Sequence, residues 1–408
     1  MSAPIIGTPR NARPCGTGDV AEPAAEATAV APDGCSTGSS SAPATDASAG
    51  SCGTGRRSVS TRVDLALLGV RTAVPVSRRG GAGPSDDGHF LVAGEGAAIP
   101  MNPESPYVLS PQGRVTVDGA DLGLEVTPVS RPRFYDLATA DGTSYEKIAK
   151  LHGRDVLATT VVQTCVRYDE ADRCRFCAIQ ASLDAGLTVA VKTPAMLAEV
   201  AEAAVRLDGV TNMVMTTGTS NGWDRGAKHL ARCVRAVKEA VPQLEIQVQC
   251  EPPADLRAIT DLREAGASSI GIHVESMDDE VRRRWMPGKS TVTLDEYRAA
   301  WREAVRVFGW NQVSTYLLVG LGEDSDEMVE GARELISMGV YPFIVPFRPL
   351  AGTLAADVDR IPAPHRDQLR YVTVRVAALL AAAGMRGADQ KAGCATCGAC
   401  SVLKTAGA

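Results

Sequence analysis

The 408-residue sequence has no run of the roughly 18 to 20 uncharged apolar residues that a membrane-spanning helix needs. It also has no basic excess: 42 Lys and Arg stand against 48 Asp and Glu, a net charge of −6. Nucleic-acid-binding proteins usually carry a basic stripe, so this balance argues against that class. The N-terminal residues lack the continuous apolar segment of a secretory signal. We therefore expect a cytoplasmic protein with reduced thiols that binds neither membrane nor nucleic acid.

Cysteine is the residue that the sequence has in quantity, with 11 in all. In a reducing compartment such a number suggests metal binding or redox chemistry. Three of them, Cys15, Cys35 and Cys52, recur in short CGTG or CSTG elements within residues 1–60. This segment is rich in Ala, Ser, Thr, Gly and Pro, and we predict that it is disordered. A low-complexity tail that grew by duplication explains the repeats better than a metal site does.

Residues 61–150 form a second region by composition, with helical and then short extended runs separated by Gly, Pro and Asp. The pattern predicts an N-terminal α+β region built from hairpins. Its Gly-rich segment, residues 78–88, matches neither phosphate-binding glycine pattern and is interpreted as a loop.

Residues 151–355 alternate apolar runs with helical patterns, which predicts βα units and a parallel sheet. The predicted strands are 156–163, 212–217, 244–250, 269–275, 312–320 and 342–347. Helix starts are marked by Thr193, by the pair Thr293 and Glu296, and by Asp326 with Glu327. Periodicity leaves a doubly wound sheet and a partial (β/α)6 barrel both open. Residues 356–408 add one helix and a Cys-rich extension.

The first strand runs directly into a loop with three cysteines, Cys165, Cys174 and Cys177. Functional sites of parallel α/β domains are built at such carboxyl ends of strands. Three thiolates can bind three irons of a [4Fe–4S] cluster and leave the fourth iron open for a small molecule. A zinc site is the alternative, although the loop offers no fourth ligand.

This loop resembles that of the radical S-adenosylmethionine (SAM) superfamily, in which three cysteines hold the cluster and an aromatic residue precedes the third. Phe176 matches that aromatic residue, which lies near the SAM adenine in the family. Eight residues separate Cys165 from Cys174, whereas the family usually has three.

Later strand ends carry further resemblances, in the order the superfamily has them. MTTGTS resembles the motif that receives the SAM amino group, HVES the polar pair near the ribose in biotin synthase-like members, and YLLVGLGED the strand that backs the adenine. The residues at the matching positions are Thr216, Thr217, Gly218, His273, Glu275, Leu318 and Val319. Ordinary strand-end turns and a buried, paired histidine are the alternatives. The resemblance spans roughly residues 155–355 and implies the partial (β/α)6 barrel.

Charged and cysteine residues near these motifs are further candidates. Lys289 is the preferred cation for the SAM carboxylate, although the run at 282–284 and Lys289 could equally form a solvated basic face. Cys250 ends the third predicted strand and is interpreted either as a packed thiol or as an auxiliary ligand or substrate-facing residue. Glu251, which follows it, is a candidate polar contact. Cys233 has a helical context and is assigned to the core.

A second cysteine group, Cys394, Cys397 and Cys400, lies near the C-terminus at two-residue spacings. Such a run can supply three ligands to one metal centre. By resemblance we predict an auxiliary iron–sulfur cluster, with a zinc site or a flexible redox tail as alternatives.

The chain from about residue 62 also resembles one narrower family, the radical SAM protein of bacterial gene clusters that contain a nitrilase. RCRFCAI, VMTTGTS, QCEPP, MPGKS and GCATCGACS are among the matching stretches. The resemblance implies reductive cleavage of SAM to a 5′-deoxyadenosyl radical that acts on a small-molecule substrate. An electron donor such as flavodoxin or ferredoxin is implied as partner. A non-catalytic iron–sulfur electron-transfer protein and a zinc-dependent barrel enzyme are the rival functions.

Overall fold

The computed structural model describes residues 50–72, 87–350, 352–356 and 366–407. Residues 1–49, predicted to be disordered, and most of the Gly-rich segment at 78–88 lie outside the described residues. Residues 50–60 were assigned to the tail by composition, and this is wrong. They belong to the first helix, α1 (Gly50–Leu68).

The N-terminal region forms a six-stranded sheet in the described part of the chain. Its strands are β1 (Arg71–Thr72), β2 (Asp87–Val92), β3 (Glu95–Pro100), β4 (Tyr107–Leu109), β5 (Arg114–Val117) and β6 (Ala120–Pro128), in the spatial order β1-β4-β5-β6-β2-β3. The pairs β2–β3, β4–β5 and β5–β6 are antiparallel hairpins, as the turn-rich sequence predicted. Leu65 of α1 joins Phe90, Val115 and Val126 in a separate apolar core.

The second sheet has seven described strands in strict chain order from β13 back to β7. They are β7 (Lys150–His152), β8 (Val156–Thr160), β9 (Asn212–Thr216), β10 (Glu245–Gln249), β11 (Ser269–Gly271), β12 (Val313–Val319) and β13 (Val340–Pro346). Neighbours from β8 to β13 pair in parallel, and β7 pairs antiparallel with β8. A doubly wound sheet would reverse its strand order at a switch point, so this unbroken order identifies the partial (β/α)6 barrel.

One short helix precedes β7, helices connect the parallel strands, and further helices follow β13. They are α2 (Tyr145–Ile148), α3 (Ile179–Asp184), α4 (Pro194–Asp208), α5 (Ala227–Ala240), α6 (Arg257–Glu264), α7 (Asp279–Trp285), α8 (Pro287–Ser290), α9 (Leu294–Phe308), α10 (Ser325–Ser337), α11 (Arg366–Ala382), α12 (Cys394–Cys397) and α13 (Leu403–Ala406). No described helix is long and apolar enough to cross a membrane.

The predicted helix starts are confirmed by their capping contacts. Thr193 accepts a hydrogen bond from the Met196 amide at the start of α4, and Thr293 and Glu296 form the reciprocal capping box of α9. At α10 the side chain that caps the helix is Asp324, two residues before the acidic pair singled out in the sequence. These caps fix where each helix begins, and so where each preceding strand end is held.

Candidate functional site

A cavity of about 420 Å³ opens at the carboxyl ends of the barrel strands. The side chains and backbone predicted from the sequence meet there, although they come from four different strand ends. Those that line the cavity are Cys165, Cys174, Phe176, Cys177, Thr216, Thr217, Gly218, Cys250, Glu251, His273, Glu275 and Lys289. Parallel strands bring their carboxyl ends to one edge, which explains this convergence.

The loop from Cys165 to Cys177 is anchored by backbone hydrogen bonds at both ends. The Val166 amide donates to the Thr219 carbonyl at 2.8 Å, and the Arg175 amide donates to the Trp285 carbonyl at 2.8 Å. The additional residues of its first gap form a turn in which the Asp169 carboxylate accepts from the Asp172 amide. The long gap is therefore folded against the barrel.

Burial raises the pKa of the Cys174 and Cys177 thiols. Both are therefore protonated at neutral pH when no metal is present. Thiols bind iron as thiolates, so metal binding at this loop releases protons and becomes tighter as the pH rises.

A buried ion pair crosses the cavity wall, with the Lys289 ammonium 2.5 Å from a carboxylate oxygen of Glu275. Burial is the largest single influence and works against the charged ammonium, but Glu275 and the other acidic groups nearby together outweigh it, so the pKa of Lys289 lies above its ordinary value. Glu275 has a positive φ of 63°, which is strained for a residue with a Cβ. Such strain concentrates at functional sites, where surrounding structure maintains it.

His273 stacks its ring on Tyr316, with ring centroids 3.9 Å apart. Its Nδ1 accepts a hydrogen bond from the Tyr316 amide, whereas the buried Nε2 finds no hydrogen-bond partner among the described residues. Burial, and then the charge of Lys289, lower the pKa of His273 to about 3, so the ring is neutral. The prediction that His273 and Glu275 both lie in the fourth strand is wrong for His273, since β11 ends at Gly271, whereas Glu275 still pairs with Leu317 of β12 in an isolated parallel bridge. Both nevertheless line the cavity.

Glu251 lies at the centre of a polar network that the sequence did not reveal. Arg167 of the cysteine loop donates to one of its carboxylate oxygens at 2.7 Å, and Thr219 donates to the other at 2.7 Å. Gln249, the last residue of β10, also lines the cavity. Only the position of Arg167 inside the long cysteine gap could have indicated its role.

The residues that line the cavity do not include Leu318, Val319 or Arg282. Leu318 packs against the same apolar cluster as Cys174 and Phe176, and Val319 is fully buried in the main core. Arg282 is 1% exposed and donates to the Val292 carbonyl, so a solvated face is wrong for this arginine. The face of a short helix that becomes buried depends on tertiary packing, which the local sequence does not encode.

The second cysteine group lies at the other end of the barrel. The Gly393 amide donates to Asn212, the first residue of β9, and the Ser269 hydroxyl at the start of β11 donates to the Ala392 carbonyl. Cys394 then accepts a hydrogen bond from the Tyr316 hydroxyl at 2.7 Å. The C-terminal extension is thus seated at the amino ends of the strands, behind the floor of the cavity.

Neither cysteine group converges tightly on a single point. Within the residues that the structure describes, no three His, Cys, Asp or Glu side chains are gathered closely enough to hold one metal ion. Ligands that each bind a different iron of a cluster do not share one ion and need not converge in this way.

Gly218 provides the close approach between the second strand end and the cysteine loop. A Cβ at this position would lie 2.1 Å from the Thr164 carbonyl oxygen, which is backbone and immediately precedes Cys165. We predict that Gly218→Ala pushes the loop away, costs about 1–3 kcal/mol in the free energy of unfolding and lowers iron bound at Cys165. Urea unfolding and iron analysis measure both effects. Gly222→Ala, in open space on the same loop, is the control and should change neither.

The part of the chain that carries this site is similar to known proteins. Residues 171–336 match the sequence model of the radical SAM superfamily. The bacteriochlorophyllide c C-7(1)-hydroxylase of Chlorobaculum limnaeum is 32% identical over 143 residues, 35% of this chain and 35% of that protein. The lipoyl synthase of Thermus thermophilus is 27% identical over 176 residues, 41% of this chain and 50% of that protein. The chain thus spans half or less of the length of these two relatives.

Solved structures with a related fold include methylornithine synthase, with 16% identity and a TM-score of 0.46 over 67% of this chain and 78% of that one. The FeFe-hydrogenase maturase HydG from Carboxydothermus hydrogenoformans has 16% identity and a TM-score of 0.42 over 56% of this chain and 52% of that one.

Proposed function

We propose that this chain, whose residues 171–336 match the sequence model of the radical SAM superfamily, is an enzyme that reductively cleaves SAM at a [4Fe–4S] cluster bound by Cys165, Cys174 and Cys177. The observation that carries the proposal is the meeting of these three thiols, at one cavity, with polar groups from the later strand ends. Three cysteine ligands leave one iron open, which suits the binding of a small molecule.

The residues of the cavity fit the two ends of SAM. We assign the amino group to the backbone and hydroxyls of Thr216, Thr217 and Gly218, and the carboxylate to Lys289, because an ammonium there complements a negative charge. His273 is a candidate contact for the ribose, since its buried Nε2 is left without a partner in the described structure. Phe176 is assigned to the adenine, against which its ring can stack.

Side chains around the cavity also exclude water and position the substrate. When bound, the cluster supplies the electron that splits SAM into methionine and a 5′-deoxyadenosyl radical. Phe176 packs edge-on to Phe347, with ring centroids 6.2 Å apart, and so forms part of an apolar wall at the cavity. Apolar walls exclude water and protect a reactive intermediate. Glu251, which is held by Arg167 and Thr219, also lines the cavity and can position a polar substrate.

The finer assignments rest on resemblance. We propose a small-molecule substrate, an electron donor of the flavodoxin or ferredoxin type, and membership of the biotin synthase-like branch, closest to the protein of nitrilase-containing gene clusters. Cys394, Cys397 and Cys400 are proposed to hold a second iron–sulfur centre.

Anaerobic reconstitution of the full chain with iron and sulfide, followed by SAM and dithionite, tests the proposal. We expect 5′-deoxyadenosine and methionine in equal amounts. Iron and sulfide uptake without SAM cleavage would instead support a non-catalytic electron-transfer protein. Zinc without sulfide in anaerobically purified protein would support the zinc-dependent barrel enzyme.

A further inference from the structure

His152, at the end of β7, lies between two cysteines of the C-terminal group. Its Nδ1 is 3.4 Å from the Cys397 sulfur, and its Nε2 is 3.5 Å from the Cys400 sulfur. In sequence His152 precedes Cys397 by 245 residues. Imidazole nitrogen and thiolate sulfur are both established ligands of iron–sulfur clusters and zinc.

The residues around His152 keep its ring close to Cys397 and Cys400. Gly153 has a φ of +59°, and a Cβ there would lie 2.7 Å from the Cys397 sulfur, so a side chain would displace that cysteine. The His89 ring lies edge-on to the His152 ring, with centroids 5.2 Å apart. A neighbour of this kind holds a ligand ring in one orientation. The N-terminal sheet thus supplies part of the site.

The same sheet also fixes the cysteine run. The Ala98 amide of β3 donates to the Ala399 carbonyl at 2.8 Å, between Cys397 and Cys400. The third sulfur, of Cys394, faces the barrel interior and accepts from Tyr316 and, at 3.5 Å, from Gln249. The C-terminal extension is therefore held both by β3 of the N-terminal sheet and by side chains of the barrel.

We propose that His152 is the fourth protein ligand of an iron–sulfur cluster whose other ligands are Cys394, Cys397 and Cys400. Two sulfurs contact different nitrogens of the ring, and the third lies towards Tyr316, so the donors surround a volume and do not converge on one nitrogen. The two contacts with His152 are as short as those between two ligands of one zinc ion, but Cys394 lies apart from them, and no three of the described donors gather at one ion position. This spread of the three sulfurs favours a cluster over a single zinc ion. The inference rests on the second centre of the proposed function but not on SAM cleavage.

Four protein ligands leave this cluster without an open iron, so it carries electrons and does not bind substrate. Its position supports that role. Gln249 both lines the SAM cavity and reaches Cys394, while His273 lines the cavity and stacks on Tyr316, whose hydroxyl contacts Cys394. One layer of side chains separates the closed cluster from the cavity.

The decisive experiment uses the full chain with Cys165, Cys174 and Cys177 all replaced by alanine, so that only the C-terminal centre reports. After anaerobic reconstitution we expect about four irons and four sulfides per chain. Adding His152→Ala should remove at least one iron and change the electron paramagnetic resonance (EPR) spectrum of the reduced protein. His229→Ala is the matched control, because that histidine contacts the Lys192 carbonyl and no second-centre cysteine. It should leave iron and spectrum unchanged.

The His152→Cys variant distinguishes loss of a ligand from loss of folding, because a thiolate can replace imidazole as a ligand. Retained iron with an altered EPR spectrum would support ligation, whereas an unaltered spectrum in this variant or in His152→Ala would overturn it. Zinc without sulfide in the background protein would overturn the cluster. Failure of the proposed function has a different signature, namely wild-type protein that forms no 5′-deoxyadenosine, and it leaves these iron counts unaffected.

Discussion

Alanine in place of Cys174 is expected to abolish SAM cleavage and to remove the iron bound at the cavity. Cys174 lines the cavity together with Cys165 and Cys177, and each thiolate would bind a different iron. Two remaining thiolates leave a second iron without a protein ligand, and an under-ligated cluster is lost during anaerobic purification. We expect iron to fall by about four per chain. Formation of 5′-deoxyadenosine should fall to the level without protein.

The matched control is Cys233→Ala. Cys233 is fully buried in α5 and belongs to the main core, so its replacement removes a small apolar group. A change of this kind costs about 0.5–3 kcal/mol in the free energy of unfolding and should alter neither iron content nor SAM cleavage. Full activity and full iron in the Cys174 variant would remove that residue from the proposed cluster.

The fold and the first site could be anticipated because their signals are local or follow from topology. Strand-like runs alternating with capped helices imply parallel strands, whose carboxyl ends must share an edge. Residues placed shortly after strands, such as Cys165, Thr217 and Glu251, therefore meet even though the first and the last are 86 positions apart in the sequence. Their strand-end motifs also implied the radical SAM superfamily, whose sequence model matches residues 171–336.

Other residues depend on packing that no local pattern records. His152 ends an edge strand, and its contact with Cys397 requires the C-terminal extension to fold back under the barrel. The pairing of Arg167 with Glu251 likewise joins two different strand ends. Strand β11 ends at Gly271, ahead of its predicted end, and the chain pairs with β12 again at Glu275, whose φ is positive. Long-range contacts and strain of this kind appear only in three dimensions.

Replacing Lys289 by methionine is expected to destabilise the protein strongly, because it leaves Glu275 buried without a counter-charge. Breaking one partner of a buried ion pair costs about 3–5 kcal/mol. The raised pKa of Lys289 means that the ammonium contributes fully below the ordinary lysine pKa of about 10.4 and loses its contribution only as the pH rises beyond it. At low pH the pair is lost, because burial raises the pKa of Glu275 and favours its protonation. Urea unfolding at pH 7 therefore measures the whole effect. Arg333→Ala breaks an exposed pair with Glu330 and should cost at most about 1 kcal/mol.

The double variant Glu275→Gln with Lys289→Met separates structure from SAM binding. With both charges removed, no buried charge is left unpaired, and such exchanges are often neutral or stabilising by about 1–4 kcal/mol. We therefore expect stability to return close to that of the wild type, so that the two single effects are far from additive. If Lys289 also binds the SAM carboxylate, the folded double variant should bind SAM more weakly than the wild type in equilibrium dialysis. Wild-type SAM affinity in the double variant would restrict Lys289 to a structural role, since the cavity would then hold the carboxylate without its ammonium.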